Sequence, residues 1–199
     1  GNWLIPLATF RTLETVIEVP FSLTELFDTT IRGMRNQNEL AQESSEVADF
    51  WSMLQGFQTS GKCIDRAHYR IRYMKSFRPL NVKEDIEFQE ARPILYLNTA
   101  AVASLFNSRN MNATANRSNW STIISYLKSH ASYLGLKQDR FTILLPSGMP
   151  DFSIDIVNGQ QVKHVKVNRP KALCFDYLQL KEMFGLDLET EVVVDDQDE

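Results

Sequence analysis

Residues 62–75 read KCIDRAHYRIRYMK, and this stretch decides the fold predicted for the chain. Its pattern predicts a β-hairpin whose two arms are Lys62–Arg66 and Tyr69–Lys75. In the second arm apolar side chains alternate with arginine, as Tyr69-Arg70-Ile71-Arg72-Tyr73. Successive side chains of a strand point to opposite faces. The tyrosines and the isoleucine are therefore expected to face the core, and the two arginines to face solvent.

Two helices are predicted before this hairpin. The first begins at Ser22, which forms a capping box with Glu25, and ends near Asn36–Asn38. The second begins near Ser44 or Ser45 and ends at Gly61. Its apolar positions recur at helical spacing and share one face: Val47, Phe50, Trp51, Leu54 and Phe57. Helix, helix and basic hairpin is the order of a winged helix, in which the second helix enters the major groove and the hairpin meets the DNA backbone.

A similar order of elements follows after an acidic connector at 79–91. Its most regular element is an amphipathic helix from Ser118 to about Tyr133, ended by Gly135 in a left-handed conformation. The chain is therefore predicted to be an α+β protein of tandem winged-helix-like units at 1–78 and 92–188 with short flanking strands, followed by a disordered acidic tail at 189–199. The other elements predicted in the second unit are a strand at Ile94–Leu97, a helix at Thr99–Phe106, strands at Phe141–Leu145, Phe152–Val157, Gln161–Val167 and Ala172–Phe175, and a last helix at Tyr177–Phe184 stopped by Gly185.

The charges are segregated along the chain although the net charge is only −4. Residues 62–181 carry eighteen basic and nine acidic side chains, whereas 182–199 carry eight acidic and no basic ones. From Thr99 to Gln138 there is no acidic residue at all. A basic middle between acidic ends favours a polyanionic partner, and we expect this partner to be duplex or single-stranded DNA.

The candidate DNA-binding residues are basic or hydroxyl side chains on the predicted polar faces of the hairpins and the 118–133 helix. Short hydroxyl and basic side chains can approach phosphates and base edges closely. The set comprises Arg70, Arg72, Lys75, Arg117, Ser121, Ser125, Lys128, Lys163, Lys166 and Arg169. Lys171 continues the last basic stretch.

Enzyme motifs are mostly missing from the sequence. It contains no P-loop, no dinucleotide-binding glycine motif, no serine nucleophile elbow and no zinc-binding His-Glu-x-x-His, so no cofactor is predicted. Two cysteines, Cys63 and Cys174, are too few for a disulfide framework and are expected to be buried thiols. Asp151 and Asp155 lie four residues apart on one strand face and leave open a metal-dependent nuclease as an alternative.

The location of the protein follows from what the sequence lacks. No apolar run approaches the length that spans a bilayer, and no signal-peptide pattern opens the chain. We therefore expect a cytoplasmic protein without membrane contact.

Several spacings of aliphatic and aromatic residues resemble the region that follows the ATPase core in primase–helicase proteins of phages and mobile elements. The residues that carry this resemblance are Pro20-Phe21, Asn36-Gln37-Asn38, Phe50-Trp51, Ile94-Leu95-Tyr96-Leu97, Tyr126-Leu127-Lys128-Ser129, Tyr133-Leu134-Gly135, Phe141 and Phe175-Asp176-Tyr177. The resemblance implies a non-catalytic, winged-helix-like DNA-binding piece of a replication protein whose ATPase and primase domains lie elsewhere. It also implies those parent domains as partners and homo-oligomers formed through the parent protein. A module that docks on the parent ATPase or on another replication protein stays open as the alternative.

Overall fold

The computed structural model describes residues 23–110, 119–157 and 160–190, together with Thr9 and Thr12. The chain forms two compact units, Gly1–Glu46 and Val47–Glu199. This division differs from the predicted units at 1–78 and 92–188, because strands on both sides of the predicted connector pair with each other. Among the described residues, no helix is both long and apolar enough to cross a membrane.

A single helix, α1, runs from Leu23 to Thr59, so the predicted break at Asn36–Asn38 is wrong. The break was inferred from polar residues, but asparagine in a helix costs less than about 0.7 kcal/mol relative to alanine. The 36–38 stretch contains no proline, and the helix continues through it without interruption. The predicted apolar face is confirmed in the second unit, where Val47, Phe50, Trp51 and Leu54 are buried.

Four antiparallel strands form the main sheet of the second unit, in the order β1–β2–β8–β3. These strands are β1 (Tyr69–Phe77), β2 (Ile86–Asn98), β3 (Tyr133–Gln138) and β8 (Lys171–Asp176). The predicted hairpin is wrong, because β1 forms its antiparallel ladder with β2, and its link to 62–66 is a single isolated bridge between Asp65 and Tyr69. Arg66 has a φ of +63° and its amide donates to the Tyr69 carbonyl, so this segment forms a tight turn. The predicted connector at 79–91 comprises most of the β1–β2 turn and the first part of β2.

Two helices, α2 (Thr99–Asn110) and α3 (Trp120–Ser129), connect β2 to β3. Asn119 caps α3 by accepting a hydrogen bond from the Thr122 amide at 2.9 Å. Of Trp120 and Leu127, which the helical spacing predicts to be largely buried, Leu127 is fully buried and Trp120 is only partly buried. The helix ends at Ser129 and not near Tyr133, because His130 has an extended backbone. Gly135 is not its stop: the residue lies in β3 with a φ of +132°, and a Cβ there would meet Pro79 at 2.7 Å.

A long two-stranded extension joins β3 to β8. The pairing of Gln138 with Lys171 continues in the same register through two short strands, β4 (Phe141–Thr142) and β7 (Val167–Asn168). A second hairpin then follows, formed by β5 (Phe152–Val157) and β6 (Gln160–Val165). We call β5 and β6 the arm.

The last helix, α4 (Tyr177–Phe184), directly follows β8 and is stopped by Gly185 in the left-handed conformation, as predicted. Asp176 caps its start by accepting from the Leu178 and Gln179 amides. The chain after α4 packs back onto the sheet, where the Tyr69 hydroxyl donates to the carbonyl of Glu189. The predicted tail at 189–199 therefore starts too early, and its residues 191–199 lie outside the described part of the chain.

The core lies mainly on one face of the sheet, between the strands and the four helices. Leu95, Leu97, Leu173 and Phe175 pack there against the buried face of α1 and against α2, α3 and α4. The opposite face carries a smaller cluster of Phe77, Ile94, Tyr96, Phe141, Ala172 and Cys174. Of the predicted core positions on β1, Tyr69 is buried, Ile71 is partly buried and Tyr73 is 74% exposed.

Candidate nucleic-acid interface

Exposed cations collect on the two-stranded extension of the sheet. Lys166, Arg169 and Lys171 lie on its returning strand, and Arg140 lies on the outgoing strand. The register on both sides of the gap places Arg140 opposite Arg169. We call these four residues the basic ribbon. Residues opposite each other in an antiparallel pair lie close together, so Arg140 and Arg169 form one positive patch, and Lys171 lies two residues further along the same face.

One carboxylate partly neutralises the basic ribbon. The Lys166 ammonium donates to the Asp151 carboxylate at 2.9 Å, and both side chains are partly exposed. The backbone fixes this pair, because the Lys166 amide donates to the Asp151 carbonyl and the Asp151 amide donates to Ile143. Exposed ion pairs contribute only about 0–1 kcal/mol, so a phosphate can replace Asp151 as the partner of Lys166.

The arm beyond the ribbon has two chemically different faces. Cross-strand pairing places Ile154 opposite Lys163 and Ile156 opposite Gln161. We call this side, together with Phe152 and Val165, the apolar face of the arm. The Lys163 ammonium lies 3.8 Å from the centroid of the Phe152 ring, a cation–π contact. No acidic residue lies on this face.

The side chains of Arg70 and Arg72 are less exposed than the sequence predicts. They point away from Tyr69, as expected, but their side chains are only 14% and 25% exposed. Their guanidinium nitrogens lie 3.6 and 3.1 Å from the buried carboxylate of Asp139, and Arg70 also donates to the Arg140 carbonyl at 3.1 Å. The prediction that they are free surface charges is wrong. They join β1 to the start of the basic ribbon.

The polar face of α3 lies outside the core, as predicted. Ser121, Ser125 and Lys128 are exposed, and the Ser121 hydroxyl donates to the Asn119 side chain at 2.6 Å. Lys128 stands in the last turn of α3, where a positive charge interacts favourably with the helix dipole. Lys75 is exposed on β1, and Arg117 lies outside the described residues.

The structure weakens the case for a shared metal site at Asp151 and Asp155. Four residues of extended strand span about 13 Å, which is too far for one cation to bridge two carboxylates. Asp151 is also paired with Lys166, and Asp155 lies 3.9 Å from His164. Within the described residues, no three histidine, cysteine or acidic side chains come together as metal ligands.

Both cysteines are buried, as predicted. Burial, with a smaller contribution from the charge of Asp65, raises the pKa of Cys63 to about 12. Burial raises the pKa of Cys174 as well. A thiolate is the nucleophilic form of cysteine, so neither side chain is suited to nucleophilic chemistry near neutral pH.

Three parts of this region were not predicted from the sequence. Arg140 lies about thirty residues before Arg169 in the sequence, so only the strand pairing shows that the two arginines lie side by side. Ile154, Ile156 and Gln161 belong to predicted strands in which apolar and polar residues alternate. This alternation does not tell which face of the strands is exposed. No sequence pattern indicates that Asp139 forms ion pairs, because its arginine partners are about seventy residues away in the sequence.

Comparison with protein-family models, with curated proteins and with solved structures finds no match for this chain. The interface is therefore interpreted from its own residues.

Proposed function

We propose that this chain is a non-catalytic DNA-binding module. The observation that supports this proposal best is the basic ribbon, whose Arg140, Lys166, Arg169 and Lys171 are all exposed on one extension of the sheet. Phosphate contacts by lysine and arginine release condensed counterions and supply most of the sequence-independent affinity for DNA. Such a strip is suited to follow a phosphate backbone.

The second predicted unit, 92–188, has an order of elements that agrees with a winged-helix-like arrangement. Strand β2 is followed by helices α2 and α3, and then by the extended hairpin formed by β3, the arm and β8. In this interpretation α3 is the helix that enters the major groove, and its exposed Ser121, Ser125 and Lys128 face the DNA. The basic ribbon is then the part of the wing that meets the backbone. The first predicted unit lacks this order, since α1 is one helix.

The resemblance to the region after the ATPase core of phage and mobile-element primase–helicases supplies the biological context of the proposal. In such a protein the chain would bring DNA to ATPase and primase domains that lie elsewhere, and those domains would be its protein partners. No residue role is transferred from that family, since the resemblance consists of apolar and aromatic spacings. The proposed activity is binding in DNA replication, in the cytoplasm.

A salt titration tests the proposal. We expect the chain to bind a fluorescent duplex of about 20 base pairs at about 50 mM salt, with affinity falling steeply toward 200 mM. Arg169→Ala and Lys171→Ala should each reduce the slope of log K against log salt by about 0.9, because each removes one phosphate contact. Lys83→Ala is the matched control, since Lys83 is an exposed lysine of the β1–β2 turn outside the basic ribbon, and its removal should leave the slope unchanged. A single-stranded probe of the same length shows whether the chain binds duplex or single-stranded DNA with higher affinity.

The proposal fails if the chain binds neither duplex nor single-stranded DNA at low salt. The protein-interaction module then takes its place, because the exposed isoleucines of the arm also suit a protein contact. Equal effects of Lys83→Ala and Arg169→Ala would likewise show that net charge, and not the basic ribbon, determines binding.

A further inference from the structure

The arm exposes more apolar surface than its own fold requires. Ile154 is 64% exposed and Ile156 is 76% exposed, although isoleucine is among the most often buried residues. They lie on one strand and point to the same side, with Phe152 and Val165 nearer the ribbon. An exposed apolar strip of this kind marks a contact surface, and its neighbours indicate what it contacts.

The charges on the two faces of the arm favour an anionic partner on the apolar face only. Lys163 and Gln161 stand opposite Ile154 and Ile156, so this face presents an ammonium and an amide as hydrogen-bond donors and no carboxylate. The other face carries Asp155, which lies 3.9 Å from His164 and would repel a phosphate. The arm also begins at the basic ribbon, because the Ile143 amide donates to the Lys166 carbonyl just before the arm starts.

We propose that the apolar face of the arm enters the minor groove of duplex DNA at A·T base pairs. This inference rests on the DNA binding proposed above. The floor of the minor groove at A·T pairs offers only acceptors, which match the donors of Lys163 and Gln161. At G·C pairs the exocyclic amine of guanine protrudes into the groove and obstructs an apolar side chain.

The length of the arm agrees with this placement. Each of its strands has six residues and is therefore about 20 Å long, which is about six base-pair steps. Ile154 and Ile156 lie two residues apart on one strand, about 6.6 Å, so a single row of apolar side chains follows the groove. Proteins that bind the minor groove commonly press isoleucine, leucine or phenylalanine against base steps in this way.

Base analogues that alter one groove at a time provide the test. The full chain is titrated against a duplex of mixed sequence and against the same duplex with every guanine replaced by inosine, which removes only the minor-groove amine. A third duplex has uracil for thymine, which removes only the major-groove methyl. We expect tighter binding to the inosine duplex, by about threefold to tenfold, and no change with uracil.

The variant Ile154→Ser/Ile156→Ser should abolish the preference for inosine while keeping the salt-dependent affinity of the ribbon. Both side chains are exposed, so the variant is expected to fold. Met183→Ser, an exposed apolar residue of α4, is the matched control and should keep the preference. Gln161→Ala should reduce the preference without removing it.

Three results would overturn the inference while leaving DNA binding intact. Sensitivity to uracil but not to inosine, lost in the variant Ile154→Ser/Ile156→Ser, would place the arm in the major groove. Equal binding of all three duplexes would show that the arm does not contact bases. Self-association that light scattering detects in the wild type and not in the isoleucine variant would identify the arm as a protein contact. If no duplex binds at all, it is the proposed function that fails.

Discussion

A guanidinium nitrogen of Arg72 lies 3.1 Å from the carboxylate of Asp139, and this pair joins the edge strand of the sheet to the first residues of the basic ribbon. The same carboxylate oxygen accepts a hydrogen bond from the Arg140 amide at 2.8 Å and lies 3.6 Å from Arg70. Two arginines thus share one buried carboxylate. The arrangement fixes the position of Arg140 with respect to β1 and accounts for the orientation of the ribbon.

Asp139→Asn should destabilise the chain by about 1–3 kcal/mol, because two mostly buried guanidinium groups would lose their shared countercharge. The asparagine keeps the shape of the side chain, so the change isolates the charge. Urea unfolding measures the difference. Asp187→Asn is the control, since Asp187 and Lys181 form an exposed pair whose loss should change the free energy of unfolding much less. Equal effects of the two substitutions would contradict a structural role for the Asp139 carboxylate.

Leu127→Ala should cost about 2–5 kcal/mol, because Leu127 is fully buried between α3 and the sheet and its removal leaves a cavity. Leu178→Ala provides the comparison: this leucine is an exposed residue of α4 and should change the free energy of unfolding by much less. Denaturant unfolding of both variants checks the expectation. A loss below about 1 kcal/mol for Leu127→Ala would be inconsistent with the packing of α3.

Truncation after Thr190 should leave the melting temperature unchanged and tighten DNA binding. The removed residues include five carboxylates, Glu191, Asp195, Asp196, Asp198 and Glu199, which would compete with phosphates for the basic ribbon. Glu189 must be kept, because its carbonyl accepts the hydrogen bond from Tyr69. Affinity for the duplex at low salt measures the effect. Weaker binding by the truncated chain would mean that the tail assists the interface.

Stability should fall as the pH decreases below about 6.5, because burial lowers the pKa of His68 from that value. In the folded chain the Ile64 amide donates to His68 Nδ1 at 3.0 Å, which requires this nitrogen to be unprotonated. Below pH 6.5 the unfolded chain therefore binds a proton that the folded chain excludes, and unfolding becomes more favourable. Urea midpoints at about pH 7.5 and 5.5 measure this loss. His68→Asn, whose side-chain oxygen can accept the same bond, should lose less stability over this interval.

Several local elements were predictable from the sequence because their signals lie within a few residues. The buried face of α1 from Val47 onward follows helical spacing, and α4 lies between the cap Asp176 and the stop Gly185. Ile94–Leu97 was recognised as a strand because a run of apolar residues is typical of strands buried on both faces. The position of Ser121, Ser125 and Lys128 outside the core followed from the apolar face of α3.

The predicted hairpin shows why pairing was harder to infer than strands. Tyr69–Lys75 was correctly recognised as a strand, but its partner was assigned to 62–66, the nearest segment. Period-two alternation tells which side chains share a face and contains no information on the neighbouring strand. The actual partner, β2, follows an eight-residue turn that was interpreted as a connector between units. The inferred boundary between two units therefore lies inside the β1–β2 pair, and the chain divides elsewhere.

The sequence by itself determined the helices of the second unit, most of its strands, the burial of both cysteines and the concentration of positive charge in the middle of the chain. These properties depend on local spacing and composition. Only the tertiary structure decided that Arg70 and Arg72 share the buried carboxylate of Asp139, and that Arg140 stands opposite Arg169. The physical reason is that ion pairs and strand registers join residues far apart in sequence, and the free energy that selects them comes from burial of the whole sheet and not from any one segment.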